Sequence, residues 1–209
     1  REFGRGGAGA VMGSKKLKAI SIHGDQSINS TQLEKLRRFS KKLYSKLRNS
    51  PAGQIRRKYG TPEMVEKINE NGFWVINNFQ QGYFEEGHKL EGPAMREAIV
   101  VGDTSCFGCP VACGKVSRIQ SEKYGELLME GPEFETIGML GSNCGISDWE
   151  ILLKATQICD ENGMDTMNAG GCVAFAMECF EKGILTNDDT EGVDLQFGNG
   201  KALLYTLQK

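Results

Sequence analysis

Several absences narrow the reading of this 209-residue sequence before any motif does. Charge excess is the first: 25 basic residues against 27 acidic ones leave a formal net charge of −2, so the broad positive field of a nucleic-acid-binding face is missing. The basic residues between Lys35 and Lys58 are interleaved with leucines, the pattern of solvated helix faces and not of a phosphate-binding patch. No run approaches the roughly 20 apolar residues of a membrane span. The opening Arg1-Glu2-Phe3-Gly4 carries neither an initiator Met nor an apolar targeting segment, so a cytoplasmic setting is expected. Internal repeats, low-complexity tracts and flexible linkers are also missing. What remains, 39% hydrophobic and 25% charged, is the composition of an ordinary globular chain of one or two domains.

Cysteine is what the chain does have. Seven of them, an odd count in a sequence without secretory features, argue for metal binding over disulfides and for a reducing compartment. Three fall in Cys106-Phe-Gly-Cys109-Pro-Val-Ala-Cys113, and thiolates this closely spaced can wrap one metal centre. Three readings stand: an iron–sulfur cluster, a zinc site, or buried thiols. Pro110 directly after Cys109 and the lack of a nearby histidine favour the cluster over zinc. The order of the two spacings is the reverse of that in radical enzymes that cleave S-adenosylmethionine, which sets that class aside. Because such clusters usually take four cysteines, a fourth ligand is expected elsewhere in the chain or beyond it, and the chain itself is expected to be incomplete. Cys144, Cys159, Cys172 and Cys179 read as small buried hydrophobes.

The hydrophobic pattern predicts a mainly α fold: a multihelical domain with a short, glycine-rich β remnant at its N-terminus. Glycines crowd the first segment, and Leu17 to Ile22 alternates as a strand would. A small glycine-rich, strand-containing piece is therefore expected over residues 1–24, followed by a helical domain over 25–209. Thr31 and Glu34 make a capping box for a helix through Leu33, Leu36, Leu43 and Leu47 that stops at Asn49-Ser-Pro51. Thr61-Pro62-Glu63 restarts a helix that Asn71-Gly72 ends. Residues 73–92 read as ordered loop and 93–101 as a short helix, which would put the three cysteines on a loop between helices. Ser147 and Glu150 form a second capping box for a helix through Ile151, Leu152, Ala155 and Ile158; another runs from Asn168 to Lys182, stopped by Gly183. A last amphipathic segment, 201–209, reads as a helix cut off without a cap. The expected tally is about six helices to one strand.

Three further constellations could carry chemistry, each with a structural alternative. Gly4-Arg5-Gly6-Gly7-Ala8-Gly9 satisfies the dinucleotide fingerprint in letters, but that motif needs a strand before it and a helix after it. A looser reading has bare backbone N–H groups and Arg5 holding a phosphate; the alternative is a tight turn without a ligand. Asp160-Glu-Asn-Gly163-Met-Asp165 lies between two helices, where Gly163 suits a left-handed C-terminal cap and Asp165 an N-cap. Paired aspartates can equally accept hydrogen bonds from the ring N–H groups of a polar heterocycle. Finally, Glu133 and Glu135 precede an apolar stretch, and Glu135 beside Ile137, Met139 and Leu140 is expected to be partly desolvated and suited to proton transfer near neutral pH. Acidic residues in the first turn of a helix are the alternative.

Five motifs in one order resemble the aldehyde ferredoxin oxidoreductases, enzymes that carry a tungsten, sometimes molybdenum, bis-pterin. They are Gly4-Arg-Gly-Gly-Ala-Gly-Ala-Val-Met-Gly-Ser-Lys15, Cys106-x2-Cys109-x3-Cys113, Gly131-Pro-Glu-Phe-Glu-Thr136, Leu140-Gly-Ser-Asn-Cys-Gly145 and Asp160-x2-Gly163-Met-Asp165, spread over nearly the whole chain. The resemblance implies the last stretch of a β-rich pterin-binding domain followed by most of a helical second domain. It implies that Cys106, Cys109 and Cys113 are three ligands of a 4Fe-4S cluster, the fourth belonging to a third domain. By the same resemblance Gly4, Arg5, Gly6, Gly7 and Gly9 contact the pterin phosphates. Asp160, Gly163 and Asp165 match the first of two motifs that bind the pterin rings, with Met164 in place of the usual leucine. Glu135, with Glu133 as second choice, resembles a carboxylate near the metal that moves a proton. The implied activity is oxidation of a small aldehyde to a carboxylic acid with ferredoxin as electron acceptor, in a full-length protein that can form a homo-oligomer, while this stretch alone is expected to be silent. Two other readings stay open: a relative acting on another carbonyl or an acyl thioester, and an electron-transfer or metal-binding module resting on the cysteine triplet alone.

Overall fold

The structure is a computed structural model that describes residues 6–27 and 30–209. It is mainly α, as the pattern predicts, with one small antiparallel sheet inserted midway. A short helix α1 (Ala8–Ser14) precedes an irregular stretch, and then α2 (Leu33–Asn49) and α3 (Pro51–Tyr59) follow. A 3₁₀ turn at Thr61–Met64 leads into α4 (Val65–Glu70), and α5 (Gly92–Ala98) leads into the sheet. Strands β1 (Val100–Thr104), β2 (Gly114–Ser121) and β3 (Gly125–Glu130) pair in chain order, β2 in the centre. A single turn α6 (Phe134–Thr136) and a wide turn at Ile137–Gly141 connect to α7 (Trp149–Asn162), α8 (Thr166–Glu181) and α9 (Gly200–Thr206). No helix among the described residues is long and apolar enough to cross a membrane.

The core lies where α7, α8 and α9 meet the 137–144 segment. Leu140, Leu152, Leu153, Ala155, Val173, Ala174, Met177 and Leu203 are all buried there. Burying a Leu or Met side chain is worth about 1.5–3 kcal/mol, so these contacts, and not helix propensity, hold the bundle. Local chemistry sets the helix ends. Asp148 caps α7 by accepting from the Glu150 N–H at 2.7 Å, and Asn199 caps α9 by accepting from Ala202 at 3.2 Å. At the far end of α7, Gly163 takes φ +68°, the left-handed cap expected of it.

Several expectations need correction. Leu17 to Ile22 is not a strand among the described residues: Ile20 and Ile22 are 60% and 88% exposed, and an alternating segment with no neighbouring strand has nothing to bond its backbone to. The glycine-rich start instead feeds α1, so the expected β remnant is absent from the described residues and the sheet lies in the middle of the chain. The cysteines accordingly sit between β1 and β2, not between helices. Thr31 does not cap α2, which Gln32 precedes without a side-chain bond, and the cap of α7 is Asp148 and not Ser147. The Ser147 hydroxyl donates instead to the Glu86 carboxylate. The last helix ends at Thr206, inside the chain. Of the four scattered cysteines, Cys144 and Cys159 are buried as expected, whereas Cys179 is half-buried and Cys172 exposed.

Candidate functional site

Antiparallel pairing of Thr104 with Gly114 closes the base of the β1–β2 loop, and the loop carries all three clustered cysteines. Within it the Cys109 N–H donates to the Cys106 carbonyl at 3.1 Å, and Gly108 and Ala112 take φ +70° and +54°, so the loop is curled tightly. Cys106 is exposed, Cys109 and Cys113 are half-buried, and all three are free thiols. In kind and in sequence spacing this donor set fits an iron–sulfur centre: three unpaired soft ligands on one short loop. Among the described residues no three His, Cys, Asp or Glu side chains converge closely enough to hold a metal ion by themselves.

A polar cleft of about 290 Å³ opens between the end of β3, α6 and the facing ends of α7 and α8. Its wall carries the carboxylates of Glu130, Glu133 and Asp160 and the hydroxyls of Thr136 and Thr166, which hydrogen-bond each other at 2.8 Å. A lining so rich in acceptors suits a ligand rich in N–H donors, as a pterin ring is. Glu133 is half-buried, and the Thr61 hydroxyl, which itself accepts from the Phe134 N–H at 2.8 Å, donates to its carboxylate. Glu135 lies elsewhere. It is exposed on α6 and absent from the cleft wall, so the desolvation expected of it is not found; the turn points the apolar residues 137–141 inward and leaves this carboxylate in solvent.

The Asp160–Asp165 segment joins two helix ends beside the cleft. Asp160, in the last turn of α7, lines the cleft. Gly163 ends that helix, and Asp165 caps α8 by accepting from the Met167 N–H at 2.9 Å. Of the glycine-rich run, Gly6 and Gly7 take φ +85° and +80° in open space, and Gly9 lies inside α1, a helix with no buried residue. Gly4 and Arg5 lie outside the described residues.

The cysteine loop and the cleft adjoin, through Gly60, Thr61 and Glu130, none of which the sequence marks as a site residue. Gly60 has φ +72°, and a Cβ there would come within 2.9 Å of the Cys113 carbonyl, so only glycine lets the two backbones approach this closely. The next residue is Thr61, which holds Glu133. From the other side, the Glu130 carboxylate lies so close to Gly114 that a Cβ on that glycine would meet it at 2.7 Å. One end of the cleft therefore rests on the residue that follows Cys113. Thr61 reads from sequence only as a helix start, because its contact with Glu133 spans 72 residues of chain.

Comparison with known proteins bears on the family of the chain. The family model described as aldehyde ferredoxin oxidoreductase, domains 2 and 3, matches residues 38–209. The tungsten-containing aldehyde ferredoxin oxidoreductase of Thermococcus kodakarensis is 41% identical over 211 residues, which cover 100% of this chain and 34% of that protein. Its namesake in Pyrococcus furiosus is 40% identical with the same coverage. An aliphatic sulfonate oxidoreductase, WOR-like subunit, of Pyrococcus furiosus is 31% identical over 98% of this chain and 32% of its own length. The chain thus spans about a third of the length of the curated relatives it matches. Among solved structures, a chain of the active-site complex BamBC of benzoyl coenzyme A reductase, in complex with 1,5-dienoyl-CoA, shares the fold, with a TM-score of 0.66 at 23% identity over 98% of this chain and 32% of that one.

Proposed function

Because the chain belongs to the aldehyde ferredoxin oxidoreductase family, we propose that it is part of a tungsten- or molybdenum-dependent oxidoreductase that converts small aldehydes to carboxylic acids, with ferredoxin as electron acceptor. The observation that carries this reading is the adjacency of a carboxylate-lined cleft to a three-cysteine loop through Gly60, Thr61 and Glu130. A metal-binding module without chemistry of its own has no need of such a cleft. When bound, the bis-pterin metal centre would supply two-electron oxidation of the aldehyde with water, releasing two protons, and the 4Fe-4S cluster would carry the electrons singly.

The chain's own residues would do the following. Cys106, Cys109 and Cys113 donate three thiolates to the cluster. Asp160 accepts hydrogen bonds from pterin ring N–H groups on the cleft wall; Asp165, one turn away at the start of α8, does the same while capping that helix. The segment Gly4 to Gly9, with Arg5, approaches the pterin phosphates. A proton released in the reaction is taken up at a carboxylate oxygen, and Glu133 is the better candidate than Glu135 because it lines the cleft and is fixed by the Thr61 hydroxyl. Residues 1–24 end a preceding pterin-binding domain, and the full-length enzyme works in the cytoplasm. Aldehyde is favoured over a sulfonate as substrate class by the order of identity, 41% and 40% against 31%.

The test is metal analysis and turnover of the full-length protein. Iron together with tungsten or molybdenum, and aldehyde-dependent reduction of ferredoxin, are expected. Iron without either heavy metal would reduce the protein to an electron carrier, and zinc without iron would overturn both readings. Glu133→Gln should lower turnover at least tenfold with metal content intact, whereas unchanged turnover would exclude Glu133 from proton transfer.

A further inference from the structure

One buried cation stands beside the cysteine loop with no part in the reading so far. Lys115, two residues after Cys113, has a side chain only 2% exposed. Its Nζ donates to the carbonyls of Arg57 at 2.8 Å, Gly114 at 3.2 Å and Ala112 at 3.4 Å, and pairs with Asp103 at 3.0 Å. Those partners are not scattered. Ala112 and Gly114 flank Cys113, Arg57 lies on α3 just before Gly60, and Asp103 is on β1 at the other side of the loop's base. Asp103 is in turn held by Arg96 of α5.

An ammonium costs several kcal/mol to bury, and an apolar side chain of similar size commonly replaces a buried ion pair with no loss of stability. Stability alone therefore gives little reason for a lysine here. Its two consequences are local: it fixes the carbonyls on both sides of Cys113, including that of the left-handed Ala112, and it sets a positive charge beside a loop that would carry several thiolates.

Resting on the reading of Cys106, Cys109 and Cys113 as cluster ligands, we infer that Lys115 is a positioning residue for that centre: it orients the backbone of Cys113, and its charge favours the cluster's reduced state. Asp103 opposes that charge from the neighbouring strand.

The test is a redox titration of the cluster in the full-length protein, followed by electron paramagnetic resonance. Lys115→Met keeps the bulk and removes the charge; the midpoint potential should shift to more negative values by about 59 mV for each tenfold loss in the one-electron reduction equilibrium. Asp103→Asn removes the opposing negative charge, and the shift should have the opposite sign. A role confined to packing would move neither potential, or both in one direction, and either result overturns the inference. Should Lys115→Met fail to fold, Asp103→Asn decides alone: an unshifted or more negative potential overturns it. A wild-type protein without any cluster signal would instead sink the proposed function, and this inference with it.

Discussion

At the scale of single residues, the seven thiols divide by environment. Burial pushes the Cys144 thiol up from an ordinary 9.0 to about 12, since a thiolate there would be stripped of water. At pH 8 iodoacetamide should therefore label Cys172 quickly in the native protein and Cys144 only after denaturation, as peptide mapping by mass spectrometry would show. The same shift has a sign in stability. Below about pH 9 both folded and unfolded states keep this proton; between about 9 and 12 only the unfolded state releases it, so folding stability falls as pH rises, by about 1.4 kcal/mol per unit from this group. Cys144→Ala should flatten that alkaline slope in denaturant titrations, whatever constant offset the lost sulfur brings. Gly60 is a second residue with a defined cost. Gly60→Ala forces a side chain into a left-handed position and against the Cys113 carbonyl, and should destabilise by about 1–3 kcal/mol while raising the thiol reactivity of Cys113 in the apoprotein.

At the scale of elements, α7 and α8 were legible in the sequence because cap, period and stop residue agree there; the cap of α7 moved by one residue, from Ser147 to Asp148, and α8 starts at Thr166, two residues before the expected Asn168. The sheet was not legible, and β2 shows why. Its inward face carries Lys115, Ser117 and Ser121, while Arg118 and Gln120 point outward, so no apolar alternation marks the strand. Those inward polar groups are satisfied by partners far along the chain: Ser117 donates to the Gly131 carbonyl, and Ser121 to Glu150 at 2.9 Å. The helix junction also lets the two roles of Asp165 be separated. Asp165→Ala should cost about 1 kcal/mol through the lost cap, whereas Asp165→Ser keeps an acceptor for the Met167 N–H and should cost only a few tenths. If Asp165 also holds the pterin, both variants of the full-length enzyme lose tungsten or molybdenum alike. Full metal content in Asp165→Ser would leave Asp165 as a cap and nothing more. Asp148→Ala is the control, losing a cap of the same kind away from the cleft with metal content unchanged.

At the scale of the whole molecule, the order of motifs was enough to indicate the family, but the joining of the cysteine loop to the cleft was not. It depends on Gly60 and Thr61 meeting residues 53 and 72 positions away, which no local pattern encodes. A second property visible only in three dimensions is the apolar side of α2: Leu36, Phe39, Leu43 and Leu47 are 41–62% exposed, and no residue of that helix is buried. Exposed apolar stripes of this kind bind other surfaces or cause association. On the proposed reading, the loop's three thiols leave a 4Fe-4S cluster one ligand short, and the apolar side of α2 adds a second exposed surface. Reconstituted with iron and sulfide, the isolated chain should therefore lose most of its cluster on desalting, bind a hydrophobic dye and scatter light, while the full-length protein keeps its iron and does neither. Retention of four irons per isolated chain through desalting would show instead that the loop and its surroundings form a self-sufficient centre, with a fourth ligand to be sought among the residues already present.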